Sequence, residues 1–122
     1  MIEEIFIRKN NTIKDSLKLL GKSGHKCLIV VDKNNKMLGT LSDGDIRKKG
    51  ILKGMLVKNS IEGIYHNNPT YLVKDKYSIE EVKNIFLNKK LNLIPIILQY
   101  KVIIIHPVFS NLTTNFFERC QS

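Results

Sequence analysis

Tryptophan is absent, proline occurs three times, cysteine twice, and aromatic residues make up only 7% of the 122 positions. Cys27 and Cys120 lie far apart with no second pair, so the chain has no disulfide framework and no metal-ligand spacing. Cys27 sits in an apolar run and is expected as a buried thiol. Long hydrophobic runs are also missing. The stretch from 91 to 109 is interrupted by Asn92, Pro95, Gln99, Lys101 and Pro107, and a lysine near its centre opposes membrane insertion. Met1-Ile2-Glu3-Glu4 lacks the basic start and apolar core of a signal peptide, so a cytoplasmic location is expected. The length excludes an enzyme with separate cofactor and substrate domains, each of which needs about 100 to 150 residues.

Acidic residues are scarce as well, 11 against 20 lysines and arginines, giving a formal charge of +9. Excess cations can neutralise phosphates, which raises nucleic acid as a partner. The lysines are scattered among acids such as Asp15, Asp32, Asp75, Glu80 and Glu81, and the densest run is only Arg47-Lys48-Lys49. A solvated lysine face is the preferred reading, with nucleic-acid binding kept as a rival. What is present is a globular balance, 43% apolar and 25% charged, enough for one modest core.

Ile5-Phe6-Ile7 reads as a short strand, and Thr12 can cap a helix starting at Ile13. Ile13, Leu17 and Leu20 recur at helical spacing, and Gly21 and Gly24 end the run. Cys27-Leu28-Ile29-Val30-Val31 predicts a buried strand, residues 32–36 a turn, and Met37-Leu38-Gly39-Thr40-Leu41 the returning strand of a hairpin. Ser42 then caps a helix expected to run towards Gly54.

This order recurs at an offset of 66. Thr12-Ile13-Lys14-Asp15 is answered by Ser78-Ile79-Glu80-Glu81, and Leu28-Ile29-Val30-Val31 by Ile94-Pro95-Ile96-Ile97. Tyr71-Leu72-Val73 answers Ile5-Phe6-Ile7, and residues 57–66 connect the copies. Lys101-Val102-Ile103-Ile104 echoes Lys36-Met37-Leu38-Gly39 at an offset of 65, without the glycine, and nothing like Ser42-Asp43-Gly44-Asp45 follows. From Val82 onward Glu118 is the sole acid, so the second copy reads as degenerate or truncated.

Gly39-Thr40-Leu41-Ser42-Asp43-Gly44-Asp45 joins a strand to a helix N-terminus, where backbone N–H groups can face an anion. Asp45 can accept two hydrogen bonds from a vicinal diol and Ser42 can donate to a phosphate or sugar oxygen. His25 and Lys26, at the helix-to-strand junction, could reach phosphates. The same residues also suit a plain helix cap and a solvated turn. Residues 32–43 begin like a calcium loop, but Met37 holds the position that needs glycine and Asp43 the one that needs glutamate. His66 and His106 have no partner at ligand spacing, and no nucleophilic triad can be assembled.

His25 to Asp32 together with Gly39 to Asp45 resemble the basic-strand and Gly-x-x-Ser/Thr-x-x-Asp motifs of CBS-domain pairs, also called Bateman modules, and the internal repeat resembles them too, over about residues 1 to 98. The resemblance implies an α/β fold of tandem CBS repeats, β-α-β-β-α, with repeat 1 at 1–56, a degenerate repeat 2 at 57–106 and a divergent tail at 107–122. It implies a regulatory, non-catalytic module whose cleft between repeats takes an adenosine nucleotide, AMP, ADP or ATP. Asp45 would then hold the ribose, Ser42 would lie against ribose or phosphate, His25 and Lys26 would contact phosphate, and Thr40 and Leu41 would flank the base. Pro107 and Ser110 answer Ser42 and Asp45, so at most one competent cleft is expected. Asp43-Gly44-Asp45-Ile46-Arg47 is similar to the CBS regions of bacterial sugar nucleotidyltransferases, which implies such a domain or partner. A homodimer is the family's implication, and a dimerisation module that binds no nucleotide is the alternative.

Overall fold

The computed structural model describes residues 2–107; of the divergent tail expected at 107–122 it describes only Pro107, and Ser110 and Cys120 lie outside the described residues. After a tight 3-10 turn at Ile2–Ile5, the order is β1 (Phe6–Ile7), α1 (Ile13–Ser23), β2 (Cys27–Val31), β3 (Met37–Ser42), and a single α-turn α2 (Asp43–Asp45). β4 (Leu72–Val73), α3 (Ile79–Asn88), β5 (Leu93–Leu98) and β6 (Lys101–Pro107) follow. Two three-stranded sheets result, β1-β2-β3 and β4-β5-β6, each with a parallel outer pair and an antiparallel hairpin. This is the expected α/β architecture in two copies.

α1 forms as the sequence predicts, with one change of face. Thr12 Oγ1 accepts the Asp15 N–H at 3.1 Å and Asp15 Oδ2 accepts the Thr12 N–H at 2.9 Å, a reciprocal cap. Gly24 ends the helix at φ +75°, a left-handed position that glycine takes without a Cβ penalty. The buried stripe is Ile13, Ser16 and Leu20, while Leu17 is 40% exposed. Ser16 can be buried because its hydroxyl donates to the Thr12 carbonyl at 3.1 Å.

The helix expected from Ser42 to Gly54 is not continuous. Beyond α2 the chain winds through a wide π-turn over Ile46–Gly50 and a 3-10 turn over Ile51–Lys53. Gly50, at φ −104° and ψ −82°, departs from helical geometry, with Ile13 and Ile64 packed beside it.

The connector is fastened to α1. The carbonyls of Asn59 and Val57 accept from the N–H groups of Ile13 and Lys14 at 2.9 and 2.8 Å, two helix-terminal donors that have no partner within the helix. Ile61 and Ile64 enter the core, and His66 then pairs with Thr40 along the outer edge of β3, with N···O distances of 3.0 and 2.7 Å.

The repeat runs further in the structure than in the sequence. Cys27 pairs with Ser42, and Leu93 pairs with Pro107. The ladder slips between Val30 and Val31 in the first hairpin and between Ile96 and Ile97 in the second, 66 residues on. β6 is thus the full counterpart of β3, where residue matching fades. β5 alternates its loyalties: Leu93 and Ile97 join the core of the first copy, and Ile94 and Ile96 pack under Val82 and Phe86 of α3.

Candidate functional site

Strand β3 delivers Thr40 and Ser42 to one side and Leu41 to the other, because successive side chains alternate across a sheet. Thr40, Ser42 and Asp45 line a cavity of about 290 Å³. Its far wall comes from the second copy: Lys90, Leu91 and Asn92 at the α3–β5 junction, with Leu93 and Pro95 on β5. His66 at the end of the connector and Pro69 and Thr70 just before β4 close it, and Cys27 also lines it.

Within this cleft the first copy presents a preorganised corner. Ser42 Oγ accepts the Asp45 N–H at 3.0 Å, and Asp45 Oδ2 accepts the Ser42 N–H at 3.1 Å. Asp45 Oδ1 lies 3.6 Å from Lys49 Nζ, one turn on. The carboxylate is thereby fixed at the cleft wall with lone pairs to spare, since a carboxylate can accept about four hydrogen bonds. Lys89 Nζ donates to Thr70 Oγ1 at 2.8 Å and ties α3 to the connector segment before β4. Burial, reinforced by the Asp45 carboxylate, pushes the Cys27 thiol up to about 12 from an ordinary 9.0. Cys27 is accordingly a neutral lining residue and not a nucleophile.

The other expected residues fall elsewhere. Leu41 is fully buried in the core and touches no cleft. Lys26 is exposed at the entry to β2, where its carbonyl accepts the Asp43 N–H at 3.1 Å. His25 lines a second cavity of about 520 Å³ with Ile2–Ile5 and with Ile103, Ile104 and Ile105 of β6. This second cleft is the repeat-related image of the first: Thr40 corresponds to Ile105, Leu91 to His25, and Pro69 and Thr70 to Glu3 and Glu4. Each cleft therefore combines the β3-type strand of one copy with the helix-to-strand junction of the other. Lys90 and Asn92, absent from the sequence reading, were reachable by carrying His25 and Lys26 forward by the repeat offset. His66 carries no such signal, because only the path of the connector brings it to the cleft.

Among the described residues there is no group of histidine, cysteine and carboxylate side chains able to hold a metal ion, and no helix long and apolar enough to cross a membrane. Residues 93–107 of the stretch considered for a membrane span form the β5–β6 hairpin.

Residues 1–51 match the family model described as CBS domain. No curated protein matches the chain. A CBS-domain-containing protein of Agrobacterium tumefaciens superposes with a TM-score of 0.75 at 11% identity, covering 97% of this chain and 84% of its own. The CBS domains of a transcriptional regulator from Streptococcus pneumoniae give 0.70 at 15%, covering 86% and 84%. CBSX2, solved in complex with AMP, gives 0.70 at 22%, covering 95% and 85%. At these identities the likeness establishes the fold, that of a tandem CBS pair.

Proposed function

We propose that this CBS-domain pair is a regulatory module that binds an adenosine nucleotide in the cleft beside Asp45, without catalysis of its own. The observation that carries the reading is the meeting of Ser42 and Asp45 of repeat 1 with Lys90 and Asn92 of repeat 2 around one cavity of about 290 Å³. A carboxylate held by its own helix cap suits a ribose diol, and Lys90 on the opposite wall suits a phosphate. The AMP held by CBSX2, which has the same fold, supports the ligand class. A nucleotide touching both copies would favour one arrangement of the pair, and an attached or partner protein would respond to that shift. Repeat 1 over 1–56, repeat 2 over 57–106, a homodimeric state and a cytoplasmic location complete the proposal. The sugar nucleotidyltransferase partner is supported only by the Asp43-Gly44-Asp45-Ile46-Arg47 motif.

Thermal unfolding against AMP, ADP and ATP tests this reading. A ligand at 100 times its dissociation constant adds about 2.7 kcal/mol, a rise of several degrees. The rise should vanish in Asp45→Ala and shrink strongly in Lys90→Ala. Asp15→Ala removes the same type of reciprocal cap far from the cleft and should keep the full ligand shift. A wild type insensitive to all three nucleotides would reject the proposal.

A further inference from the structure

Cations that are scattered along the sequence are gathered by the two hairpin turns. An antiparallel bridge sets Lys36, at the entry to β3, directly opposite Lys101, the first residue of β6, and the adjoining Met37 N–H donates to the Tyr100 carbonyl at 2.9 Å. Directly opposed residues share one face of a strand pair, and like charges placed so oppose the pairing. Neither lysine forms an ion pair among the described residues. Arg8 and Lys9, just after β1, and Lys33 of the first turn line one cavity of about 520 Å³, and Arg8 Nη2 donates to Asn35 Oδ1 of that turn at 3.4 Å. Against these five exposed cations stands Asp32, whose Oδ1 already accepts the N–H groups of Asn34 and Lys36 at 2.8 and 2.9 Å. The second turn sets an aromatic ring among them. Gln99 and Tyr100 take φ +52° and +70°, a left-handed path that asparagine and glycine follow at least cost. Tyr100 is nevertheless there, 71% exposed, with its ring centroid 5.9 Å from Lys36 Nζ.

We propose that the joined hairpin turns bind single-stranded nucleic acid, with Tyr100 stacking on a base and the flanking lysines and Arg8 on the phosphates. Unpaired ammonium groups on one face lose their mutual repulsion by neutralising phosphates, which releases counterions. An exposed ring beside them gives an unstacked base a platform, whatever the base. A duplex keeps its bases inside and offers the ring nothing, and an acidic peptide uses the cations alone. The nucleotide cleft lies at the other, Ser42 end of β3, so the inference does not depend on nucleotide binding there. Sequence order hid this surface, because Arg8, Lys36 and Lys101 are brought together only by strand pairing.

The test is fluorescence anisotropy of a labelled oligothymidylate of about 12 nucleotides with the full chain at rising salt, beside duplex DNA of the same length and polyglutamate. The single strand should bind several-fold more tightly than either. Tyr100→Asn places a residue suited to the turn and should weaken binding about tenfold, the scale of one lost stacking contact. Lys36→Gln combined with Lys101→Gln should lower the slope of log affinity against log salt by about 1.4, two phosphate contacts at about 0.7 each. Lys22→Gln combined with Lys53→Gln removes the same charge elsewhere and should leave most of the affinity intact. The proposal is overturned if duplex or polyglutamate binds as tightly as the single strand, or if Tyr100→Asn keeps wild-type affinity. Equal losses from the two lysine pairs, or no binding at micromolar protein in low salt, overturn it as well.

Discussion

A methyl group on Gly39 would run into the carbonyl oxygen of His66 and come within 2.8 Å of the Tyr65 ring. The obstruction is backbone, which cannot rotate away, and the Thr40–His66 pairing depends on that approach. Gly39→Ala should therefore destabilise the protein by about 1 to 3 kcal/mol, the cost of overpacking, measured by urea denaturation. It should also weaken any ligand of the Asp45 cleft, because His66 is part of its wall. Cys27 gives a pH test. Its thiol is raised from 9.0 to about 12 in the fold, so between those values the unfolded chain loses a proton that the native chain keeps. Its contribution is complete below pH 9 and declines as pH rises towards 12. In a Cys120→Ser background, Cys27 should resist thiol reagents at pH 8 until the protein is denatured. Substituting Cys27→Ala should flatten the alkaline loss of stability. Rapid native labelling would contradict this burial.

At the level of elements, the helix caps were legible from Thr12 and Ser42, since a hydroxyl before an apolar helical run has few other roles. Thr12→Ala should cost about 1 kcal/mol in the same denaturation measurement. Backbone and side-chain hydrogen bonds at this cap hold the Asp15 carboxyl below its usual range, so its support is present at neutral pH and is lost as the solution is acidified. The face of α1 was less legible. A polar Ser16 inside and an apolar Leu17 outside invert the simple rule, because the carbonyl of Thr12 satisfies the hydroxyl locally. Leu17→Lys should consequently be nearly neutral, within about 0.5 kcal/mol, whereas Ser16→Lys should prevent normal folding. The break in the helix after Ser42 was not legible, since the α-turn gives way to wider winding already at Ile46 and Gly50 then leaves helical geometry.

On the scale of the molecule, Ile97 of the second copy belongs to the same buried cluster as Leu28, Ile29 and Leu41 of the first. The two copies therefore share a core, and Ile97→Ala should lower a single unfolding transition by about 2 to 4 kcal/mol rather than split it in two. Calorimetry would reveal a second transition if the copies were independent. Outside that core, Leu52, Leu56 and Val57 are 73%, 57% and 47% exposed, and the Lys14–Val57 hydrogen bond holds their segment beside α1. This apolar surface suits the proposed homodimer. Leu52→Asp should shift sedimentation towards the monomer, and wild-type protein that sediments as a monomer at all concentrations would remove the homodimer from the proposal.

Local periodicity and turn chemistry in the sequence determined the strand and helix order, the hairpins, the internal repeat and the Ser42–Asp45 corner, because each depends on neighbours a few residues apart. Tertiary structure decided which copy supplies which wall. His25 and Asp45 are only 20 residues apart in the chain, yet they line different clefts, because each copy turns its helix-to-strand junction towards its partner. Lys90 and Asn92 enter the Asp45 cleft for the same reason. The Pro107 end of β6 emerged only from its pairing with Leu93, where the backbone ladder preserved the repeat after the side chains had diverged.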